Sequence, residues 1–361
     1  IDNDKYRAVA DRIVKAIESG NSIWQKPWKQ AAAQNRPHNA ESTLNYKGIN
    51  RVLLMHEMMA RGSNDTRFMT FNQCRAMAER MKREGVPEDK LPHVRKGAES
   101  IEIVKYGRTE RKQAVLDDDG TPAKDADGKP IMKTVQGRAY LQSHRVFHAS
   151  DIENMPPLVL VEKKADWEIH AQAEDLVKAL GVRVRHEADD RAFYTPSRDT
   201  ITMPEQVQFK SANDYYATLM HEAGHATGHA SRLNRPGIVD FAGFGSPSYA
   251  YEELVADTAS AFTCSELGLD SEAVVANHAS YLQGWARSIQ ADPKILFKAF
   301  NEAEQAADWV MQRHEKQHAK TTAPEVGATM TPAVDYTATL NNAEPARPAR
   351  THRAPEPALS M

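Results

Sequence analysis

His221, Glu222 and His225 form an H-E-x-x-H pattern inside an apolar run, with Leu219 and Met220 before it and Ala226 after it. Residues four apart on a helix share a face, so both imidazoles can reach one point in space. Two neutral imidazoles so placed can hold a Zn²⁺ ion, and Glu222 between them can take a proton from a water beside it. That is the chemistry of peptide-bond hydrolysis. Two solvated histidines on a surface helix would need no apolar flanks. They would also not need Ala223 and Gly224 between them, residues small enough to admit a partner helix or a hydrated ion.

A catalytic zinc ordinarily has three protein ligands and one open position. The position ten residues after His221, where some peptidases carry a third histidine, is Ser231. On a continued helix His229 would lie about 12 Å along the axis from His221, out of reach unless the chain turned sharply at Gly228. The segment Tyr251–Asp257 is better suited. Glu253 and Asp257 are four apart on an expected helix. Glu253 can be the third ligand, and Asp257 can accept the N–H of whichever imidazole nitrogen faces away from the metal. Glu252 points about 100° away and is expected in solvent. Two nitrogens and one carboxylate suit zinc but can also accept Mn²⁺ or another divalent ion. Tyr194, on a short strand upstream, is a candidate for steadying a developing oxyanion.

The elements that must hold these residues follow from periodicity. Asp166–Leu180 has helical apolar spacing that includes Trp167 and Leu176, and Gly181 ends it. Residues 182–186, 192–195 and 200–203 read as short strands, whose edge could accept a peptide as an added strand. Helices follow to about His318, with Trp285, Leu296, Phe297, Phe300 and Trp309 as core. Ala, Pro, Thr and charged residues dominate from Ala319 to Met361, a composition expected to be disordered. The expected fold class is α+β. It comprises a first α+β domain at 4–150, a linker at 151–164, a metallopeptidase-like domain at 165–318 and the tail.

In the first domain, Asp4–Ser19 and Phe71–Glu84 read as helices, and Ser100–Tyr106 and Arg138–Phe147 as strands with Tyr140 and Val146 in the core. Residues 107–137, rich in Asp-Gly turn signals, read as an extended solvated hairpin or insertion. Residues 1–150 carry 27 Lys and Arg against 19 Asp and Glu, and the remainder 19 against 30. A basic half suits a polyanion. Trp24, Lys26, Trp28 and Lys29, followed by Tyr46, Lys47 and Arg51, interleave aromatic rings with cations. Bases can stack on such rings while the cations meet phosphates, which favours single-stranded DNA.

The chain has 361 residues and only two cysteines, Cys74 and Cys264, too few for a disulfide framework. No apolar run is long enough to span a membrane, and no secretory segment stands at the N-terminus; a cytoplasmic location is expected. Ile1 is not a start methionine, so the start reads as trimmed.

Three stretches together, Tyr194–Pro204, Asp214–His229 and Tyr251–Asp257, resemble the ArdC-type antirestriction proteins. The N-terminal Trp24, Lys26-Pro27-Trp28, Tyr46–Asn50 and Thr70–Gln73 match the first domain of the same family. The chain is also similar to the N-terminal region of plasmid TraC primases, although no primase catalytic segment is read after residue 318. The resemblance covers about residues 4–318. It implies a domain binding single-stranded DNA followed by a zincin-like metallopeptidase domain. It also implies a role in conjugation, protecting plasmid DNA that enters a recipient cell from restriction. Three readings remain open on the residues: a DNA-bound peptidase that cleaves a protein such as a restriction subunit, a pure DNA-binding protector with a structural or vestigial metal, and a general protease with an incidental basic domain.

Overall fold

The computed structural model describes residues 3–18, 36–117, 119–158, 165–240, 243, 246–269, 289 and 291–322. Trp24, Lys26, Trp28, Lys29 and Trp285 lie outside the described residues, as does the chain after Thr322. In chain order the elements are α1 (Asn3–Glu18), β1 (His38–Asn39), α2 (Ile49–Ala60), β2 (Arg67–Met69), α3 (Phe71–Arg83), β3 (His93–Val94), β4 (Ile101–Ala114), β5 (Met132–His148) and β6 (Ile152–Glu153). There follow α4 (Asp166–Leu180), β7 (Arg183–Glu187), β8 (Phe193–Thr195), β9 (Thr200–Pro204), α5 (Ala212–Thr227), α6 (Pro236–Val239), α7 (Pro247–Leu267) and α8 (Lys294–Thr322). The fold is α+β, as expected.

The first sheet has the order β1-β2-β5-β4, and its longest ladder is the antiparallel hairpin of β4 and β5. The expected strands are therefore ends of longer ones that run out into the segment read as a solvated insertion. A second sheet has the order β7-β9-β8, with β9 parallel to β7 and antiparallel to β8. Its central strand β9 is buried throughout and packs on α5. Residues 151–158, read as linker, include β6, which pairs with β3.

Four elements differ from the sequence reading. The segment around Asn50 and Arg51, read only as part of a DNA-contacting stretch, starts α2, which buries Val52, Leu53, Leu54, Met55 and Met58. Trp167 is exposed although its helix forms, because the buried face of α4 runs through Ile169, Ala173, Leu176 and Leu180. Tyr140 is exposed on the hairpin rather than in the core. Helix α8 continues to Thr322, past the expected start of the tail.

One hydrophobic core takes residues from both ends of the chain. Tyr6, Val9 and Ile13 of α1 and Ile49, Val52 and Leu53 of α2 pack with Leu254, Val255 and Phe262 of α7 and Leu296 and Phe300 of α8. Tyr6 meets Phe297 edge-on at 4.6 Å. An ion network reinforces this junction. Arg51, fully buried, sends Nη1 to Glu304 (3.2 Å) and Nη2 to Glu266 (2.9 Å) and to the carbonyl of Phe262 (3.2 Å). Arg36 reaches the same two acids and Asp308. A second core beneath α4, α5 and the small sheet supports the site.

Candidate metal centre

Helix α5 begins at Ser211, whose hydroxyl accepts the backbone N–H of Asp214. It is buried along nearly its whole length, so His221, Glu222 and His225 face protein rather than solvent. Helix α7 begins the same way, with the Ser246 hydroxyl accepting from Tyr249 and Pro247 in the first turn. It is covered on all sides, as expected of a central helix. The two helices cross where Gly224 meets Ala256. A Cβ built on Gly224 would lie 3.1 Å from the Ala256 carbonyl oxygen and 3.2 Å from its Cα. Glycine at 224 therefore sets how closely the helices approach, and Ala256 lies between Glu253 and Asp257.

The crossing brings His221, His225 and Glu253 together, with one ligand atom from each within 4.8 Å of the others. The two Nε2 atoms are 3.1 Å apart, and Glu253 stands 3.6 Å from His221 Nε2 and 3.4 Å from His225 Nε2. Ligand atoms about 2.0–2.2 Å from a tetrahedral ion stand roughly 3.3–3.6 Å apart, so the spacing fits one cation. The tautomers agree. His221 Nδ1 is 2.7 Å from Asp257 Oδ1, and His225 Nδ1 is 3.4 Å from Glu252 Oε1. With an ion bound, each Nδ1–H would donate to its carboxylate and both Nε2 lone pairs would be free to face the ion. Charge points the same way. Four buried acids, Glu222, Glu252, Glu253 and Asp257, surround the two rings, and Arg235 offsets one of them. Burial lowers the proton affinity of both imidazoles, but Asp257 for His221 and Glu253 for His225 outweigh it and raise both pKa values. The pocket therefore demands positive charge, which a divalent ion would supply.

Glu222 is held apart from this ligand set. Its carboxyl is buried, and Oε2 has no hydrogen-bond partner among the described residues. Burial pushes its pKa up to about 7, with His221 and His225 opposing the shift. A carboxylate so poised can accept and return a proton near neutral pH.

Two further residues complete the centre, and neither was read from the sequence as functional. Glu252, expected in solvent, is 1% exposed and is the anchor for His225. Arg235 holds it, with Nε 3.2 and 3.1 Å from its two carboxylate oxygens, Nη1 on Thr227 Oγ1 at 2.6 Å and Nη2 on the Gly224 carbonyl at 2.8 Å. Burial would raise the Glu252 pKa, but the charge of Arg235 brings it below the usual range. The turn after α5 delivers Arg235: Gly228 has no Cβ where one would come 3.0 Å from the guanidinium carbon.

The structure places the remaining candidates elsewhere. Tyr194 is fully buried and donates to Asp199 Oδ1 at 2.7 Å, while Arg232 binds the same carboxylate. The hydroxyl is thus committed to a structural pair rather than aimed at a substrate carbonyl. His229 turns to Ser231 and takes no part in the ligand cluster. Arg51, read as a DNA contact, has its guanidinium spent on buried acids and cannot meet a phosphate. Tyr46 is partly buried, accepting a hydrogen bond from Asn39 at 3.2 Å. Lys47 is exposed but reaches Asp308.

Two crossing helices that present an H-E-x-x-H pair and a third acid define a zincin-like metallopeptidase centre, and residues 171–302 match the family model described as a zincin-like metallopeptidase. Residues 3–147 match the model for the N-terminal domain of the anti-restriction factor ArdC. The crystal structure of ArdC from plasmid R388 in its metal-free form is 32% identical, covers 86% of this chain and 98% of its own, and superimposes with a TM-score of 0.64. A second crystal structure of that protein contains Mn(II). A DNA primase TraC of Escherichia coli is 38% identical over 315 residues, which are 86% of this chain but 20% of the primase. The chain thus spans about a fifth of that relative. An uncharacterised protein, y4eC of Sinorhizobium fredii (strain NBRC 101917 / NGR234), is 32% identical over 310 residues, 85% of this chain and 91% of its own. This chain belongs to the ArdC antirestriction family.

Proposed function

We propose that this protein is a cytoplasmic antirestriction factor that binds single-stranded DNA and cleaves a protein, such as a restriction subunit, at a zinc centre, so sparing plasmid DNA during conjugation. The observation that carries the peptidase half is the buried, unpartnered oxygen of Glu222 beside two imidazoles and a carboxylate converging on one point. His221, His225 and Glu253 would hold the ion, with Asp257 and Glu252 fixing the rings. When bound, a divalent cation lowers the pKa of a water towards about 7 and polarises a carbonyl. Glu222 would take a proton from the attacking water as the C–O bond forms and then pass it to the amine nitrogen, which leaves as the C–N bond breaks. The donor set suits zinc, and the Mn(II) in the R388 relative supports manganese as a second occupant. No helix among the described residues is long and apolar enough to cross a membrane, which is compatible with the cytoplasmic setting. The basic N-terminal half and the ArdC N-terminal match support the DNA-binding half.

Glu222→Gln tests the reading. It should retain metal at the level of the parent protein while losing peptide hydrolysis and protection of incoming DNA in a restricting recipient. Unaltered protection by this variant would assign protection to DNA occupancy alone and leave the metal a structural role.

A further inference from the structure

Beyond Val104 and Leu141, the last buried positions on their strands, β4 and β5 leave the body of the protein as a bare two-stranded ribbon. Residues 105–114 extend about 33 Å at the usual strand rise. Six cations stand exposed along it: Lys105, Arg108, Arg111, Lys112, Lys133 and Arg138. Among the described residues none of them forms an ion pair, whereas Arg36, Arg51, Arg67, Arg232 and Arg235 are all paired with acids. Glu110 is the one acid on this stretch of β4. Two of the acids of the tip are drawn into their own turns: Asp119 accepts from the Thr121 N–H and hydroxyl, and Asp125 from the N–H groups of Asp127 and Lys129. Among the described residues no acid of the tip forms an ion pair with these six cations.

The register sorts these side chains. Cross-strand partners share a face and neighbours along a strand alternate. Gly107 pairs with Tyr140 and, past a register shift between Arg108 and Glu110 that places the extra residue on β5, Arg111 pairs with Val135 and Gln113 with Lys133; the odd positions of β4 thus carry Arg111 on the Gly107 face, with Tyr140 and Lys133 opposite that row. Tyr140 lies across Gly107, where a Cβ would come 2.5 Å from its Cζ. The ring is thus laid on the ribbon and remains 37% exposed. Tyr106, 53% exposed, stands on the opposite face with Arg108. A ribbon with unpaired cations spaced along it and an open aromatic ring on each face is complementary to a chain of phosphates carrying unstacked bases.

The geometry points to this ribbon as the surface that grips single-stranded DNA, its cations on the phosphates and Tyr140 and Tyr106 under the bases. This location rests on the proposed single-strand binding and gives it a site away from Arg51 and Tyr46.

Anisotropy of a labelled mixed-sequence oligonucleotide, single-stranded and as duplex, titrated with the full-length protein over a salt series tests it. The double variant Arg111→Gln, Lys133→Gln should bind the single strand at least tenfold more weakly near physiological salt. Its slope of log affinity against log salt should fall by about 0.7 for each phosphate that is no longer neutralised. Tyr140→Ser should weaken binding several-fold with the slope unchanged, because stacking releases no counterions. Arg111 and Lys133 are exposed, so thermal unfolding of the double variant should be unaltered. If the parent binds and the double variant matches it in affinity and slope, the ribbon is not the site. Tighter binding to duplex than to single strand would overturn the stacking role. Failure of the parent protein to bind any oligonucleotide at low salt would instead refute the DNA-binding half of the proposed function.

Discussion

Replacing Gly224 by alanine sets two effects of known size against each other. Alanine in the interior of a helix is favoured over glycine by about 1 kcal/mol. The added methyl, however, would meet the Ala256 carbonyl oxygen at 3.1 Å and its Cα at 3.2 Å, and both are backbone atoms of a fully packed helix. Relief therefore requires α5 and α7 to separate by a few tenths of an ångström, and forcing extra volume into a packed site costs roughly 1–3 kcal/mol. The metal-free variant should be less stable than the parent by about 0–2 kcal/mol. The larger effect should fall on the ion, because Glu253 and Asp257 flank Ala256 and ligand constellations tolerate displacements of only about 0.5 Å. We expect the affinity for Zn²⁺ to drop about 10–100-fold, the range seen when supporting residues of metal sites are disturbed. Urea unfolding of the apo protein and chelator competition for the metal measure the two quantities separately. Each tenfold loss of affinity should remove about 1.4 kcal/mol of metal-dependent stabilisation at saturating ion. An apo protein stabilised by about 1 kcal/mol with metal affinity unchanged would show that the crossing is not tight and refute the reasoning.

Two other substitutions separate the roles of buried charges. Glu252→Gln removes the anion between Arg235 and His225; zinc affinity measured by chelator competition should fall about 10–100-fold, and an unchanged affinity would mean that Glu252 does not orient the ring. Arg51→Met should lower stability in urea by about 2–3 kcal/mol, below the usual cost of breaking a buried pair because Arg36 still reaches Glu266 and Glu304. Its affinity for an oligonucleotide should not change; a tenfold loss of binding at unchanged stability would restore Arg51 as a DNA contact.

The clustering of the candidate ligands was legible because chemistry imposes a period on them. His221 and His225, and then Glu253 and Asp257, are each four apart and so share a helical face. Glu252 and Arg235 were not legible, for a reason visible in α7. Reading one helix alone assigns its off-axis residues to solvent, but α7 is surrounded, and only the turn from Gly228 to Pro236 places a guanidinium above Glu252. Arg51 misled in the same way. A cation near aromatic residues reads as surface, and the acids that claim it, Glu266 and Glu304, are more than two hundred positions away. The strands of the ribbon were partly legible as the β-rich flanks of a segment full of turns. Their length was not, because polar residues pairing across a solvated ladder carry no apolar alternation.

The core made jointly by the two ends of the chain bears on dissection. Cutting between residues 158 and 165 would strip α1 and α2 from Leu254, Val255 and Phe262, leaving a greasy flank on the very helix that supplies Glu253. A fragment so prepared would be sticky and poorly folded, and its silence in a peptidase or oligonucleotide assay would report on the scissors rather than on the protein. Point changes in the intact chain are the sounder instrument.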